Sequence, residues 1–321
     1  MKVSTAICIT VLSLTTVSAS AQNYPTRLVT IVVPAAAGST ADNGIRIIAK
    51  FMAAQLGQPV IIDNKPGAGG IVGMEYAARA NPDGYTLAFS FAQPMALYPS
   101  LYKTLSYDPV KGFMPIRTTS RSGYVMLANP KAPYKNLKEF IQFAKDNPGK
   151  INFGTPGVGS GAHLLAERLQ QLTGVKMTHI PYKSATTLTT DLVAGVVDVS
   201  FDFPSTPRTL VESGQLVAFA MTSKVRIKNY PDVATFTELG YPQMDVETWG
   251  VVLAPAGTPQ HIIEKLSSVV ADAKKQKEVI DFYAIADSVM LDLDYMEFPA
   301  FYASEREMYR KMVEEARISL D

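Results

Sequence analysis

Two short loops carry the residues best suited to chemistry. They are Pro34-Ala35-Ala36-Ala37-Gly38-Ser39-Thr40-Ala41-Asp42 and Gly154-Thr155-Pro156-Gly157-Val158-Gly159-Ser160-Gly161-Ala162-His163. Each follows an apolar, β-branched run (Leu28 to Val33; Lys150 to Phe153) and opens an amphipathic stretch of helical period. A small, glycine-bearing turn in that place leaves backbone N–H groups unpaired at the positive end of the helix. This is a cradle for an anion. Two such loops, about 120 residues apart, point to one acidic ligand held between two lobes.

In the first cradle Ala37, Gly38, Ser39 and Thr40 are the expected contacts. Ser39 and Asp42 have the S-x-x-D spacing of a capping box. Asp42 belongs to the candidate ligand set, but a carboxylate beside a carboxylate ligand repels it, so its expected role is to organise the loop. In the second cradle Gly157, Val158, Gly159 and Ser160 are the expected contacts, with Ser160 as the N-cap of a helix bearing Leu165, Ala166, Leu169 and Leu172. His163 falls in the first turn of that helix, where the dipole disfavours imidazolium. A neutral His163 donating to a ligand oxygen is the expectation.

Other chemistries fail on spacing. Gly157 to Ala162 formally fits the dinucleotide fingerprint G-x-G-x-x-A, yet the strand about 20 residues on, Thr178-His179-Ile180-Pro181-Tyr182-Lys183, lacks the acid a ribose requires. Gly67-Ala68-Gly69-Gly70 fails the same template because Val72 stands at the third glycine position, and it reads as a tight turn. The three histidines, His163, His179 and His261, are scattered and pair with no cysteine, so neither a zinc site nor a Ser–His–Asp triad is expected. No cofactor and no catalytic residue are expected, and binding rather than turnover is the predicted activity.

The chain opens with an export signal: Lys2, an apolar stretch from Ala6 to Val17, and a small-residue cleavage site at Ala19-Ser20-Ala21. Residues 1–21 are therefore read as a cleaved signal peptide and the protein as periplasmic. Cys8, the single cysteine, lies inside that signal, so a hydrophobic core and not a disulfide framework must hold the fold. Cleavage removes one lysine and no acid, which leaves 29 basic against 29 acidic residues. A neutral chain without a basic stripe is a poor partner for nucleic acid or an anionic membrane.

The elements that must position the cradles alternate strand with helix. Leu28 to Val33, Pro59 to Ile62 and Tyr85 to Ser90 read as strands separated by helices at about 41–56 and 70–80. Such βαβαβ order predicts a doubly wound, mostly parallel sheet with ligands at the carboxyl ends of its strands. Ser90, Phe91 and Ala92 lie at such an end, and so do Ser184, Ala185 and Thr186, and Asp202, in a second block. That block carries strands at Tyr124 to Leu127, Ile151 to Phe153, Thr178 to Ile180, Val196 to Phe201 and Leu216 to Met221. The remainder reads as a strand from Gly250 and helices at about 259–287 and 296–319. The predicted architecture is α/β and two-lobed: lobe 1 from 22–122 plus 247–321, lobe 2 from 123–246, with extended crossovers near Gly123 and Gly250.

Several motifs resemble one family along essentially the whole mature chain. They are Tyr24-Pro25-Thr26-Arg27, Leu56-Gly57-Gln58-Pro59-Val60, Asp63-Asn64-Lys65-Pro66-Gly67-Ala68-Gly69-Gly70, Pro82-Asp83-Gly84-Tyr85-Thr86-Leu87, Pro181-Tyr182-Lys183 and Ala254-Pro255-Ala256-Gly257-Thr258-Pro259, with Trp249. The chain is similar to the Bug family, the periplasmic solute-binding proteins of tripartite tricarboxylate transporters. The resemblance implies a type II-like periplasmic binding protein that closes its lobes over a small organic carboxylate, held by amides and hydroxyls of the cradle loops. It also implies delivery to integral membrane transporter subunits, with the receptor itself expected to be monomeric. The sequence departs from the family at Ser39 and Ser184, where glycine is usual. Two other readings stay open: a sensor component presenting ligand to a membrane histidine kinase, and a periplasmic enzyme acting on a carboxylic acid.

Overall fold

Runs of apolar residues long enough to be buried on both faces become parallel strands, and the amphipathic stretches between them become the helices that cover the sheets. A computed structural model describes residues 24–320. The signal peptide reading, with Cys8 and cleavage after Ala21, lies outside the described residues.

The first sheet begins with β1 (Val29–Val33), α1 (Thr40–Leu56), β2 (Val60–Asn64), α2 (Ile71–Ala78) and β3 (Thr86–Phe91). β1 pairs in parallel with both β2 and β3, in register Ile31↔Ile62 and Ile31↔Leu87. α1 stops at Gly57, whose φ of 66° lets its N–H return to the Ala53 carbonyl at 3.0 Å. Its buried face is the expected one: Ile45, Ile48, Ala49, Met52 and Leu56. A π-helical turn (Gln93–Leu97) and α3 (Tyr98–Leu101) then lead to β4 (Phe113–Ser122).

β5 (Val125–Ala128) follows after only Gly123 and Tyr124 and belongs to the other sheet. That sheet is completed by α4 (Leu137–Asp146), β6 (Ile151–Thr155), α5 (Gly161–Thr173), β7 (Met177–Pro181), α6 (Ala185–Ala194), β8 (Val199–Asp202), α7 (Arg208–Glu212) and β9 (Val217–Met221). The chain returns through β10 (Thr248–Pro255), α8 (Gln260–Lys274), α9 (Lys277–Ile285), β11 (Val289–Met290) and α10 (Phe298–Ala316).

The strand orders are β11-β4-β10-β3-β1-β2 and β7-β6-β8-β5-β9. The expected α/β architecture of two helix-flanked sheets is present, with one refinement. In each sheet three strands form a parallel block, and the strands that carry the crossovers (β4 and β10; β5 and β9) join antiparallel. A strand that leaves one sheet and enters the next without an intervening helix arrives in the reverse direction, so the crossovers impose the mixture. The crossovers touch: a Cβ on Gly123 would lie 2.6 Å from the Ser223 nitrogen, and one on Gly250 2.5 Å from Thr119 Oγ1. Tyr124 N–H donates to Thr222 Oγ1 (2.8 Å), and Thr222 Oγ1 donates to the Val246 carbonyl (2.6 Å).

Two further differences concern lobe 1. The helix expected over about 259–287 is two helices, broken at Lys275 and Gln276, and β4 was not legible as a strand. β4 holds Pro115, two arginines and four serine or threonine residues, a composition poor in apolar alternation. α10 packs not only on the first lobe but also on α5 of the second. The indole of Trp249, 2% exposed, is boxed edge-on by Phe298, Phe301 and Tyr302, and one apolar cluster runs through these residues from sheet to sheet.

Candidate functional site

Both cradles are built by the same backbone. Ser39 caps α1 at φ −66°, ψ 160°, and Ser160 caps α5 at φ −68°, ψ 159°. Each serine Oγ accepts the N–H of the residue three on, Asp42 or His163, at 3.2 Å. Each cap follows a glycine of positive φ, Gly38 at 81° and Gly159 at 76°. The side chain in the first helical turn then reaches back: Gly38 N–H donates to Asp42 Oδ2 (2.8 Å), and Gly159 N–H donates to His163 Nδ1 (3.1 Å). What remains at each tip are the N–H groups of the first two helical residues, Thr40 and Ala41 in one loop and Gly161 and Ala162 in the other, for which an α-helix provides no internal acceptor.

Asp42 is 1% exposed and organises its loop. Burial opposes its ionisation, but hydrogen bonds from Arg46 Nε (2.9 Å), Asn64 Nδ2 (2.8 Å) and Gly38 outweigh it and hold the carboxyl below its usual range. Beneath the second loop, the His163 and His179 rings stack at 4.0 Å, and Phe153 stacks on His179 at 4.8 Å. Burial, and then the neighbouring His163, push the His179 pKa down to about 4.

The four tip residues line two adjoining cavities in one cleft. The first, about 350 Å³, takes Ser39, Thr40 and Ala41 from lobe 1 with Arg121 and Trp249, and Ser205 and Thr206 from lobe 2. The second, about 420 Å³, takes Ser160, Gly161 and Ala162 with Tyr124 and Asp202, and faces the Gly67 to Gly70 turn. Phe91, Gln93 and Phe203 line both and form the partition. The partition is fixed across the lobes, since Gln93 Nε2 donates to Tyr124 OH at 2.9 Å and Tyr124 stacks on Phe203 at 4.7 Å.

The charges in the cleft are few. Arg121 lines the first cavity with Nη1 3.2 Å from Glu247 Oε2 and with its buried Nε unpaired. Asp202 lines the second, where burial raises its pKa to about 6 against a 2.7 Å hydrogen bond from Phe203 N–H. Among the described residues no group of three His, Cys, Asp or Glu could hold a metal ion. No helix of those residues is long and apolar enough to cross a membrane.

Ser39, Thr40, Phe91, Ser160 and Asp202 are thus brought to the cleft. His163 is not: its Nδ1 is an acceptor for Gly159, its Nε2 lies 3.6 Å from Glu167, and the ring is 6% exposed. That corrects the expectation that it donates to a ligand oxygen. Ser90 and Ala92 are fully buried behind the sheet edge, while Ala37 and Val158 face solvent. Gly38 lines neither cavity, and Gly157 likewise. Gly159 packs against Leu101 and Leu320. Ser184, Ala185 and Thr186 sit on the exposed start of α6 and line neither cavity. Arg121, Ser205 and Thr206 were missed. Arg121 lies on the one strand that polar composition concealed, and the two hydroxyls follow a strand end that had already yielded Asp202.

The sequence pattern of the tripartite tricarboxylate transporter family receptor, TctC, matches residues 45–316. The chain is similar to the periplasmic binding protein BugD, at 31% identity and a TM-score of 0.78 over 92% of this chain and 99% of that one. It is similar to an R. palustris protein solved with adipate, at 28% identity and a TM-score of 0.81 over 92% and 99% of the two chains. It is also similar to MatC from Rhodopseudomonas palustris with bound malate, at 29% identity and a TM-score of 0.77 over 90% and 100%.

Proposed function

The chain belongs to the tripartite tricarboxylate transporter receptor family, and on that premise we propose that it is a periplasmic receptor for a small organic carboxylate that it delivers to a membrane transporter. The observation that carries this reading is the pair of serine-capped helix N-termini opening on one interlobe cleft, with Arg121 the cation on its wall. Carboxylate oxygens accept from the Thr40 and Ala41 or the Gly161 and Ala162 N–H groups, and the cap hydroxyls remain free to donate. Oriented amides do this without desolvating a counter-ion at the loop. A second carboxylate on the same ligand pairs with the Arg121 guanidinium, which lines the cavity and already leans on Glu247. The relatives with adipate and malate are in keeping with a dicarboxylate. Closure of the lobes presents the loaded state to the transporter, provided the ligand favours the closed form. The export signal read in residues 1–21 accounts for the compartment.

The test is a thermal-shift screen of the chain lacking residues 1–21 against malate, adipate, citrate, succinate and aromatic acids. A ligand at 100 times its Kd adds about 2.7 kcal/mol and raises Tm by a few degrees. A rise with one carboxylate class is expected. Turnover of a bound acid, or a flat screen of ligand-free protein, overturns the reading.

A further inference from the structure

The second cradle is held by a device that the first lacks. A ring nitrogen accepts a hydrogen bond only while its lone pair is free, so the 3.1 Å bond from Gly159 N–H requires a neutral His163 with its proton on Nε2, the atom that faces Glu167. His179, stacked on His163, contacts Thr155 Oγ1 through Nε2 at 2.7 Å, and that hydroxyl in turn accepts Gly157 N–H (3.2 Å). Two imidazoles therefore set the backbone at Gly157 and Gly159. Gly159 is close-packed in this position, since a Cβ there would meet Leu101 at 2.6 Å and Leu320 at 2.8 Å.

Resting on the carboxylate reading of the cleft, we infer that His163 is a positioning residue that couples the second cradle to protonation, so that ligand is released as the pH falls. Protonation at Nδ1 places two donors face to face, the loop withdraws, and the Gly161 and Ala162 N–H groups lose their aim. The charged and titratable groups that act on the pair are few. Glu167 from α5 lies 3.6 Å from His163 Nε2, and the second imidazole from β7 stacks on its ring. Glu315 on α10 is turned to Arg168. His179, held near 4, adds no charge of its own at neutral pH.

The test uses the 15N-labelled chain lacking residues 1–21. In a titration from pH 8 to 4.5 the Gly159 amide resonance is expected to move with the same midpoint as the His163 ring, and His163→Ala is expected to speed Gly159 amide exchange about tenfold at pH 7. With malate, adipate and citrate as probes, affinity is expected to fall about tenfold from pH 7.5 to 5. His163→Asn supplies an acceptor that does not titrate, at a position where the Asp42 side chain of the first loop shows that so short a group reaches the N–H. Its affinity is expected to fall less than that of the wild type, by the part that belongs to the ligand's own carboxylates and to Asp202 in the same cavity. A Gly159 amide indifferent to the His163 titration overturns the inference, as does a His163→Asn variant with the wild-type pH slope. Failure of all three probes at pH 7.5 overturns the carboxylate reading instead, and the amide titration then still decides whether His163 holds the loop.

Discussion

Gly38 and Gly159 both turn through positive φ, both precede a serine cap of the same backbone angles, and both give their N–H to a side chain in the first helical turn. In one loop that side chain is a carboxylate locked by Arg46 and Asn64; in the other it is an imidazole stacked on a second imidazole. The first arrangement is anionic and keyed to its own helix and β2. The second is uncharged and keyed to β6 and β7. The same donor geometry is therefore reached by two chemistries, and they differ in what disturbs them. What is repeated is the aim of the backbone amides, because an anion at a helix N-terminus responds to oriented N–H groups and not to the residue that orients them.

The two glycines give the sharpest contrast. Gly159→Val should cost about 2–5 kcal/mol, since left-handed strain adds to overpacking against Leu101 and Leu320, and a urea melt should show it. Gly38→Ala meets nothing within 4 Å and should cost about 1–2 kcal/mol from strain alone. Equal costs would break the claim that only the second loop is packed in place.

Removing the orienting side chains comes next. Asp42→Ala removes the acceptor shared by Gly38 N–H, Arg46 and Asn64 and should cost about 1–3 kcal/mol, little of it recovered by Asp42→Asn, whose amide nitrogen would face a donor where a carboxylate oxygen now accepts. Chemical denaturation of the pair checks this. Arg121→Gln tests the cleft rather than the cradles: it should weaken a dicarboxylate about tenfold while leaving a monocarboxylate nearly unchanged, as read by calorimetry. Equal losses for both ligands would place Arg121 outside the recognition of a second carboxylate.

The smallest effect is the pH order of the loops. His179 has a folded pKa of about 4 against an ordinary 6.5, so the unfolded chain binds more protons between those values. Its contribution to stability is complete above pH 6.5 and is lost as the pH falls toward 4. Asp42 is depressed below the usual carboxyl range, so its contribution persists above that range and is lost only at lower pH. Hydrogen exchange should therefore find the second loop opening first on acidification, and the reverse order would contradict the assignment.

Much of this is legible in the sequence. The strands β1, β3 and β6, the helix α1, the serine caps and the loop-organising role of Asp42 all follow from local rules: apolar runs, 3.6-residue periodicity and cap spacing. β4 was illegible because Pro115 and its arginines and hydroxyls do not alternate, though it lies between β10 and β11. Arg121 was lost with it. His163 was placed correctly in its helix turn and wrongly aimed, because nothing in its neighbours along the chain announces that the His179 ring stacks on it.

The sequence by itself determined the two serine-capped helix N-termini, since capping and dipole chemistry act within a few residues of chain. Only the tertiary structure decided that the four tip residues face one cleft, that Arg121 joins them, and that His163 turns inward. Those outcomes depend on contacts between segments far apart in sequence: the crossovers at Gly123 and Gly250, the bridge from Gln93 to Tyr124, and the close packing of Gly159 on Leu101 and Leu320. Local propensity carries no record of such neighbours, because packing chooses them only when the lobes come together.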